Sequence, residues 1–317
     1  MAVQRFVQQA AVIDVGSNSL VLALYDYSTN PPVNIEEEQK ACGLARGMTP
    51  QHNVLNPEGM QIALKTLTKF RNILAEHNIQ QVFAVGTAAL RAVAHTEAGQ
   101  AFHRQAQTAL GHGITIISER KEAELNGLGI TARLPNTDGL FCSMGGASTE
   151  IGELHDGKVS ENLATFPVGA LTFGTADPKA AAALFTKYLR EVSWIGQRPT
   201  STLYLTGGPM RAVARALFEV THNIPIAAKF PEGIIATWHD ACAAIVRLSR
   251  TSPQELAARY NNGKKTSLAR RTDQIPLGAA VVAAIASIVK PKFVMPCKPG
   301  MRDGVLQQGL AGTLTSS

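Results

Sequence analysis

Apolar residues recur along this chain with two different periods. Ala10 to Asp14 and Ser19 to Tyr25 are short, nearly continuous apolar runs and predict buried strands, joined by the tight turn Val15-Gly16-Ser17-Asn18. Asn56-Pro57-Glu58 then supplies a helix cap, a first-turn proline and an acid. Met60, Ala63, Leu64, Leu67, Phe70 and Leu74 follow at helical spacing and predict one buried stripe. Val82 to Gly86 and Ile114 to Ser118 predict further buried strands, and between them lies a helix from about Thr96 to Leu110 that Gly111 ends.

Beyond Lys121 the pattern restarts. Leu140 to Glu153 is again strand, small-residue turn, strand, and Ser143-Met144-Gly145-Gly146-Ala147-Ser148 repeats the form of Asp14-Val15-Gly16-Ser17-Asn18-Ser19. Later signals continue the alternation. Asp177-Pro178 opens a helix through Leu189, Gly207-Gly208-Pro209 opens one through Phe218, and Ser252-Pro253-Gln254-Glu255 forms a capping box. The expected class is therefore α/β, a duplicated βββαβα-type domain with its two turns facing each other across a cleft. No low-complexity linker separates the halves, so the boundary is placed at a hinge near Gly127, giving domains 1–127 and 128–317.

At 317 residues with 45% hydrophobic and 17% charged side chains, the chain can build two cores and is not a disordered polymer. The longest apolar stretch, Leu277 to Val289, falls short of the roughly 18 residues of a membrane span. Gln8, Gln9 and Asp14 interrupt any signal-like run. A cytoplasmic protein with no membrane partner is expected. Cys42, Cys142, Cys242 and Cys297 are widely separated, which fits buried free thiols better than zinc or disulfides. The net charge of +6 is uneven: 14 Lys/Arg face 6 Asp/Glu after residue 200, against 16 and 18 before it. Such a field suits a polyanionic ligand or a solvated basic surface. Aromatic residues at 6% and the absence of any recognised module argue against nucleic acid.

Each hairpin turn offers glycine and hydroxyl residues whose amides can converge on an anion, although an ordinary hairpin reads the same way singly. Gly207-Gly208 at a helix start is a third such place, or an ordinary strand-to-helix turn.

Several motifs together resemble the exopolyphosphatase and guanosine pentaphosphate phosphohydrolase (Ppx/GppA) family. They are Ala11-Val12-Ile13-Asp14-Val15-Gly16-Ser17-Asn18-Ser19, Gly86-Thr87-Ala88-Ala89-Leu90-Arg91, Ile116 to Leu125 (IISERKEAEL), Gly145-Gly146-Ala147-Ser148-Thr149-Glu150, Thr206-Gly207-Gly208-Pro209-Met210-Arg211 and Gly300-Met301-Arg302-Asp303-Gly304-Val305-Leu306. They occur in the family's order and run nearly end to end, ending where its two-domain short form ends. The resemblance implies a duplicated actin-like fold, of the ribonuclease H-like superfamily that includes sugar kinases, Hsp70 and actin.

The resemblance also implies roles. Asp14 and the amides of Gly16, Ser17, Asn18 and Ser19 would form the first phosphate loop, with Gly145, Gly146, Ala147, Ser148 and Thr149 forming the second and Gly207 and Gly208 a further contact. Arg91 falls on the phosphate-binding arginine, for which a bidentate fork is well suited. Glu122 matches the glutamate that orients or deprotonates water, and Glu150 matches the acid near the metal and the water. Magnesium would be held by Asp14, Glu150 and the Ser143 position. Arg211, Arg215, Lys264, Lys265, Arg270 and Arg271 could carry the rest of a long polyanion. The implied activity is metal-assisted release of terminal orthophosphate from inorganic polyphosphate. Alternatives are 5′-phosphate hydrolysis of guanosine pentaphosphate in the stringent response, or a catalytically impaired regulator that binds polyphosphate or guanosine tetraphosphate. A homodimer stays open.

This chain departs from the family pattern in four places. Ser143 stands where the second loop usually opens with aspartate, Val21 where an arginine is expected, and Glu124 where an arginine follows Glu122-Ala123. The second loop reads Gly145-Gly146-Ala147 in place of a glycine triplet. Ser143 matters most, because it removes an anionic metal ligand.

Overall fold

The computed structural model describes residues 8–49, 52–172, 177–222, 233–260 and 268–317. Two compact units emerge: Met1–Arg133 with Met301–Ser317, and Leu134–Gly300.

In the first unit β1 (Gln9–Val15) pairs antiparallel with β2 (Ser19–Asp26), and β2 pairs antiparallel with β3 (Val33–Ala41). Helix α1 (Pro57–Glu76) leads to β4 (Gln81–Gly86), which runs parallel to β1. Then come α2 (Ala88–Val93), α3 (Glu97–Leu110), the short β5 (Thr115–Ile116) beside β4, and α4 (Glu119–Arg133). The sheet order is β3-β2-β1-β4-β5. Its centre is β1, whose apolar residues are almost wholly buried, as an interior strand covered on both faces requires. The predicted helix ends are met by caps. Asn56 accepts from the Glu58 and Gly59 amides at 3.0 and 3.3 Å, worth about 1 kcal/mol, and α3 ends at Gly111 with φ 77°.

The second unit repeats this order. Strands β6 (Gly139–Met144), β7 (Thr149–His155) and β8 (Lys158–Phe166) are sequentially antiparallel. Helix α5 (Pro178–Glu191) leads to β9 (Thr202–Thr206), parallel to β6, and to α6 (Gly208–His222). Strand β10 (Ala236–Thr237), α7 (Trp238–Arg250), α8 (Pro253–Tyr260), α9 (Ile275–Val289) and β11 (Phe293–Pro296) complete it, with order β10-β11-β9-β6-β7-β8. The apolar run Leu277 to Val289 lies in α9, mostly buried against α5, α6 and α7. No described helix is long and apolar enough to cross a membrane. Cys42, Cys142 and Cys297 are buried free thiols, and Cys242 is half-buried.

The expected boundary needs correction at both ends. Gly127 lies inside the continuous α4, so the units divide after Arg133 instead. The final helix, α10 (Met301–Leu310), belongs to the first unit. It buries Val305 and Leu306 with Val12, Val85 and Leu125, and Gly304 makes that possible: a Cβ there would lie 2.1 Å from the Leu125 carbonyl oxygen. Strand Ile114 to Ser118 is also shorter than expected, limited to Thr115–Ile116.

Candidate active site

The two turns are built alike. Gly16 N–H donates to Ser19 O at 3.2 Å, and Gly145 N–H donates to Ser148 O at 2.8 Å. Each turn is backed by the segment that follows the third strand of its own unit. Behind the first, Ser17 O accepts from Ala45 N, and Asn18 O accepts from Cys42 N and Gly43 N, all at 2.9 Å. Behind the second, Gly145 O accepts from Ala170 N at 3.0 Å and Gly146 O from Leu171 N at 2.7 Å, while Ala147 O accepts from Thr172 Oγ1 at 3.3 Å. In a trans peptide the carbonyl of one residue and the amide of the next point opposite ways. The amides of Asn18 and Ser19, and those of Gly146, Ala147 and Ser148, therefore face away from their backing segments. Each turn thus presents a row of donors on one side, the arrangement that binds anions.

Three hydroxyls in these turns are already engaged. Ser17 Oγ accepts from Ala89 N at 3.1 Å, tying the first turn to α2. Thr149 Oγ1 donates to Val168 O at 2.5 Å, and Ser148 Oγ donates to Glu150 Oε1 at 2.5 Å. Thr149 therefore serves the backing segment through its side chain. Gly169 belongs to the same support and was not singled out from the sequence: a Cβ on it would come within 2.4 Å of Ala147 N. Its signal was the recurrence of glycine after the third strand, Gly43 in one unit and Gly169 in the other.

Asp14 is the penultimate residue of β1, and its Oδ1 is shut off from solvent with no hydrogen bond. Burial pushes this carboxyl up to about 7, against the pull of the Arg302 guanidinium, while Glu122 and Glu37 add repulsion. Glu122 occupies the first turn of α4, with Ser118 Oγ accepting from Lys121 N at 3.1 Å just before it. Arg91, from α2, places Nη1 2.9 Å from Glu122 Oε2 and 2.9 Å from Ile117 O. Burial raises the Glu122 carboxyl above the usual carboxylate range, with Arg91 opposing that rise. Two residues expected to act on phosphate and on water, 31 positions apart, thus form one ion pair.

In the second unit Ser143 stands where Asp14 stands in the first, one residue before the end of its central strand. It lies across from Glu150 on β7 and beside Thr206 on β9. Gly207, at φ 79°, closes over this corner: a Cβ there would meet Met144 O at 2.6 Å and Ser143 Oγ at 3.3 Å. Gly208 opens α6 with the Arg271 guanidinium against it, where a Cβ would lie 2.8 Å from Nε. Lys264 and Lys265 fall outside the described residues.

The departures have local support. Val21 is the cross-strand partner of Asp14 and is buried among apolar residues. Glu124 is bonded by Lys121 Nζ at 3.1 Å and by Gln308 Nε2 at 2.8 Å, so its reversed sign is compensated within the unit.

The expected cation ligands do not fall in one unit: Asp14 belongs to the first, Ser143 and Glu150 to the second. Among the described residues no group of three or more His, Cys, Asp or Glu side chains could hold a metal ion. Magnesium binds through one or two carboxylates plus phosphate oxygens and water. The unbonded Oδ1 of Asp14 is an anionic oxygen of the kind it takes.

The profile of the Ppx/GppA phosphatase family matches residues 26–311. The chain belongs to the Ppx/GppA family. An exopolyphosphatase from Cytophaga hutchinsonii superposes with a TM-score of 0.80 at 22% identity, covering 98% of this chain and 100% of that one. A Ppx/GppA family member from Aquifex aeolicus gives 0.75 at 20% identity over 98% and 100%. These likenesses carry the fold alone, the α/β architecture shared with those structures. A guanosine-5′-triphosphate,3′-diphosphate pyrophosphatase of Vibrio cholerae is 32% identical over 168 residues, 51% of this chain and 32% of the relative. The corresponding protein of Pseudoalteromonas translucida is 28% identical over 226 residues, 70% of this chain and 44% of that relative. The chain thus spans less than half the length of the curated relatives it matches.

Proposed function

We propose that this Ppx/GppA protein is an exopolyphosphatase that releases terminal orthophosphate from inorganic polyphosphate with magnesium. The observation that carries the reading is the Arg91–Glu122 pair with Asp14 close enough to feel the charge of Glu122. Arg91 has several N–H donors, so it can hold Glu122 and still bind phosphoryl oxygens. Glu122, with its proton affinity raised, accepts the proton of the attacking water as that water bonds to the terminal phosphorus. The bond to the bridging oxygen breaks, and the shortened polyphosphate leaves with its electron pair. The amides of the Gly16 to Ser19 turn neutralise charge on the phosphoryl oxygens. Asp14, with its unbonded Oδ1, is the carboxylate of the first unit that would hold magnesium, which would supply further charge shielding when bound. The basic excess after residue 200, including Arg271 at the start of α6, suits a long polyanion.

A second reading, hydrolysis of the 5′-phosphate of guanosine pentaphosphate, is favoured by the names of the curated relatives. A non-catalytic regulator that binds polyphosphate or guanosine tetraphosphate is favoured by Ser143 in place of a carboxylate. Phosphate release from long polyphosphate and from guanosine pentaphosphate, side by side with and without magnesium, decides among the three. Faster turnover of polyphosphate supports the proposal, and faster turnover of the nucleotide replaces it with the second. Tight binding of either ligand without release selects the third.

A further inference from the structure

Residues 311–317, which follow α10, have no part in the reaction described above. Glycine sets their course. Gly312, at φ 69°, ends the helix, with Gly312 N donating to Gly309 O at 3.1 Å and Thr313 N donating to Gln308 O at 2.9 Å. This closure turns the chain back onto its own unit. Leu314 packs on the core that includes Ile117, Leu125, Val305 and Leu306, and two residues later Ser316 O accepts from Ser118 N at 2.7 Å. That amide belongs to the peptide that leads into α4. The Ile117–Ser118 peptide is trans, so its carbonyl and its amide point opposite ways. The carbonyl, Ile117 O, accepts from Arg91 Nη1 at 2.9 Å, and the amide donates to Ser316. One peptide plane is thus held from both sides. The groups around it are fixed as well: Ile117 N donates to Gly86 O at the end of β4 at 3.0 Å. Ser118 caps α4, its Oγ accepting from Lys121 N at 3.1 Å and its carbonyl from Glu122 N at 2.9 Å.

We propose that residues 314–317 form a brace that positions the Arg91–Glu122 pair: Leu314 anchors it, and the Ser316 carbonyl fixes the peptide whose own carbonyl is the second acceptor of Arg91 Nη1. With that peptide held, Nη1 serves both protein oxygens, and phosphate can be met by the remainder of the fork. The same peptide starts the cap that receives the Glu122 amide. Without the brace the peptide can rotate, Ile117 O leaves Nη1, and Arg91 and the first turn of α4 lose their common reference. Leu314 and Ser316 are therefore positioning residues, which act through Ser118 and not on the substrate. Small misplacements that arise away from the chemistry can cost about 100-fold in rate.

The inference deepens the phosphohydrolase reading and rests on it for its kinetic arm alone. The test compares the wild type with a chain lacking residues 314–317, with Leu314→Ala, which removes most of the anchor, and with Leu314→Met, which keeps an apolar anchor of similar volume. Two readouts are taken well below the melting temperature of each protein: kcat on polyphosphate, and hydrogen exchange of single backbone amides followed by nuclear magnetic resonance. In the deletion variant the amides of Ser118, Lys121 and Glu122 should lose protection, while the Ile130 amide, buried further along α4, exchanges as in the wild type. A merely structural loss would speed exchange at Ile130 as much as at Ser118. The deletion should also lower kcat by about 10- to 100-fold. Leu314→Ala should shift both readouts the same way by less, and Leu314→Met should match the wild type. Wild-type kcat in the deletion variant would overturn the proposal, as would unchanged exchange at Ser118 or an equal rise at Ser118 and Ile130. Should the deletion variant not fold, Leu314→Ala decides by the same outcomes. If the wild type releases no phosphate from any phosphoanhydride, the hydrolase reading fails separately. The exchange arm then judges the brace alone: a loss of protection confined to the start of α4 supports it, and unchanged protection overturns it.

Discussion

Nη1 of Arg91 bridges Glu122 Oε2 and the Ile117 carbonyl oxygen, each at 2.9 Å, so one guanidinium locks the first turn of α4 to α2. The pair is largely buried, with 19% of the Arg91 side chain and 10% of the Glu122 side chain exposed. Removing one partner of such a pair leaves the other charge desolvated and costs more than the pair contributes. The two residues therefore differ in what their loss does.

Glu122→Gln keeps a group that can still bond Arg91 and hold a water molecule, but the amide cannot take a proton. It should fold and bind polyphosphate as the wild type does while turning over about 100- to 10,000-fold more slowly. Steady-state kinetics beside equilibrium binding of polyphosphate checks this. Wild-type turnover would remove Glu122 from proton transfer.

Arg91→Ala takes away the cation that lowers the Glu122 pKa, so the carboxyl should rise further. A base is active only above its pKa, and the acidic limb of the rate profile should move to higher pH. The KM for polyphosphate should rise as well, because a phosphate contact is lost. Arg91→Lys should restore the pH limb more fully than the KM, since a point charge can oppose Glu122 but lacks the fork. A pH–rate profile unchanged in Arg91→Ala would show that the pair does not tune the base.

The alternation of short apolar runs made β1, β2, β6 and β7 legible, because interior strands must be apolar on both faces. Asn56, Thr96 and Asp177 announced their helices through cap chemistry. Strand β3 was not legible: Val-Asn-Ile-Glu-Glu-Glu-Gln-Lys-Ala shows no buried face, since it is an edge strand held by the β2 ladder and protected by its charges. Helix α4 was equally hidden, because it turns Lys121, Glu122 and Asn126 inward, against the amphipathic rule. Roles for Glu122 and Arg91 came from resemblance, while their pairing needed the fold, which alone brings positions 31 apart together. The return of α10 to the first unit had no periodic signal at all.

Asp14 gives a stability prediction with a definite sign. Its carboxyl titrates near 7 in the folded chain against 3.8 ordinarily, so between those values the folded state holds a proton that the unfolded state has lost. Folding is therefore penalised as pH rises from about 4 to about 7, fully so above 7, by at most ~4 kcal/mol. Asp14→Asn lacks the penalty. In metal-free buffer it should be more stable than wild type at pH 8, with the advantage fading to nothing near pH 4, and it should lose activity. Urea denaturation of both proteins across that range checks the claim, and a pH-independent difference would contradict it.

Ser143 sits directly across the β6–β7 ladder from Glu150, so the two side chains share one face of the sheet. Ser143→Asp would set two buried carboxylates against each other, with Glu150 Oε1 already bonded to Ser148 Oγ. Like charges opposed across a ladder cost on the order of 1 kcal/mol, and more when buried, so the metal-free variant should melt lower than wild type. Magnesium reverses the sign if it binds there, since a divalent cation between two carboxylates converts repulsion into ligation and stabilises by mass action. The variant should therefore show the larger magnesium-induced rise in Tm and reach half-maximal phosphate release at lower magnesium. The Gly207 corner leaves little room, and Ser143→Asn controls for size without charge. Equal magnesium responses in the aspartate and asparagine variants would mean that no cation visits this corner, and that the serine does not mark a lost ligand.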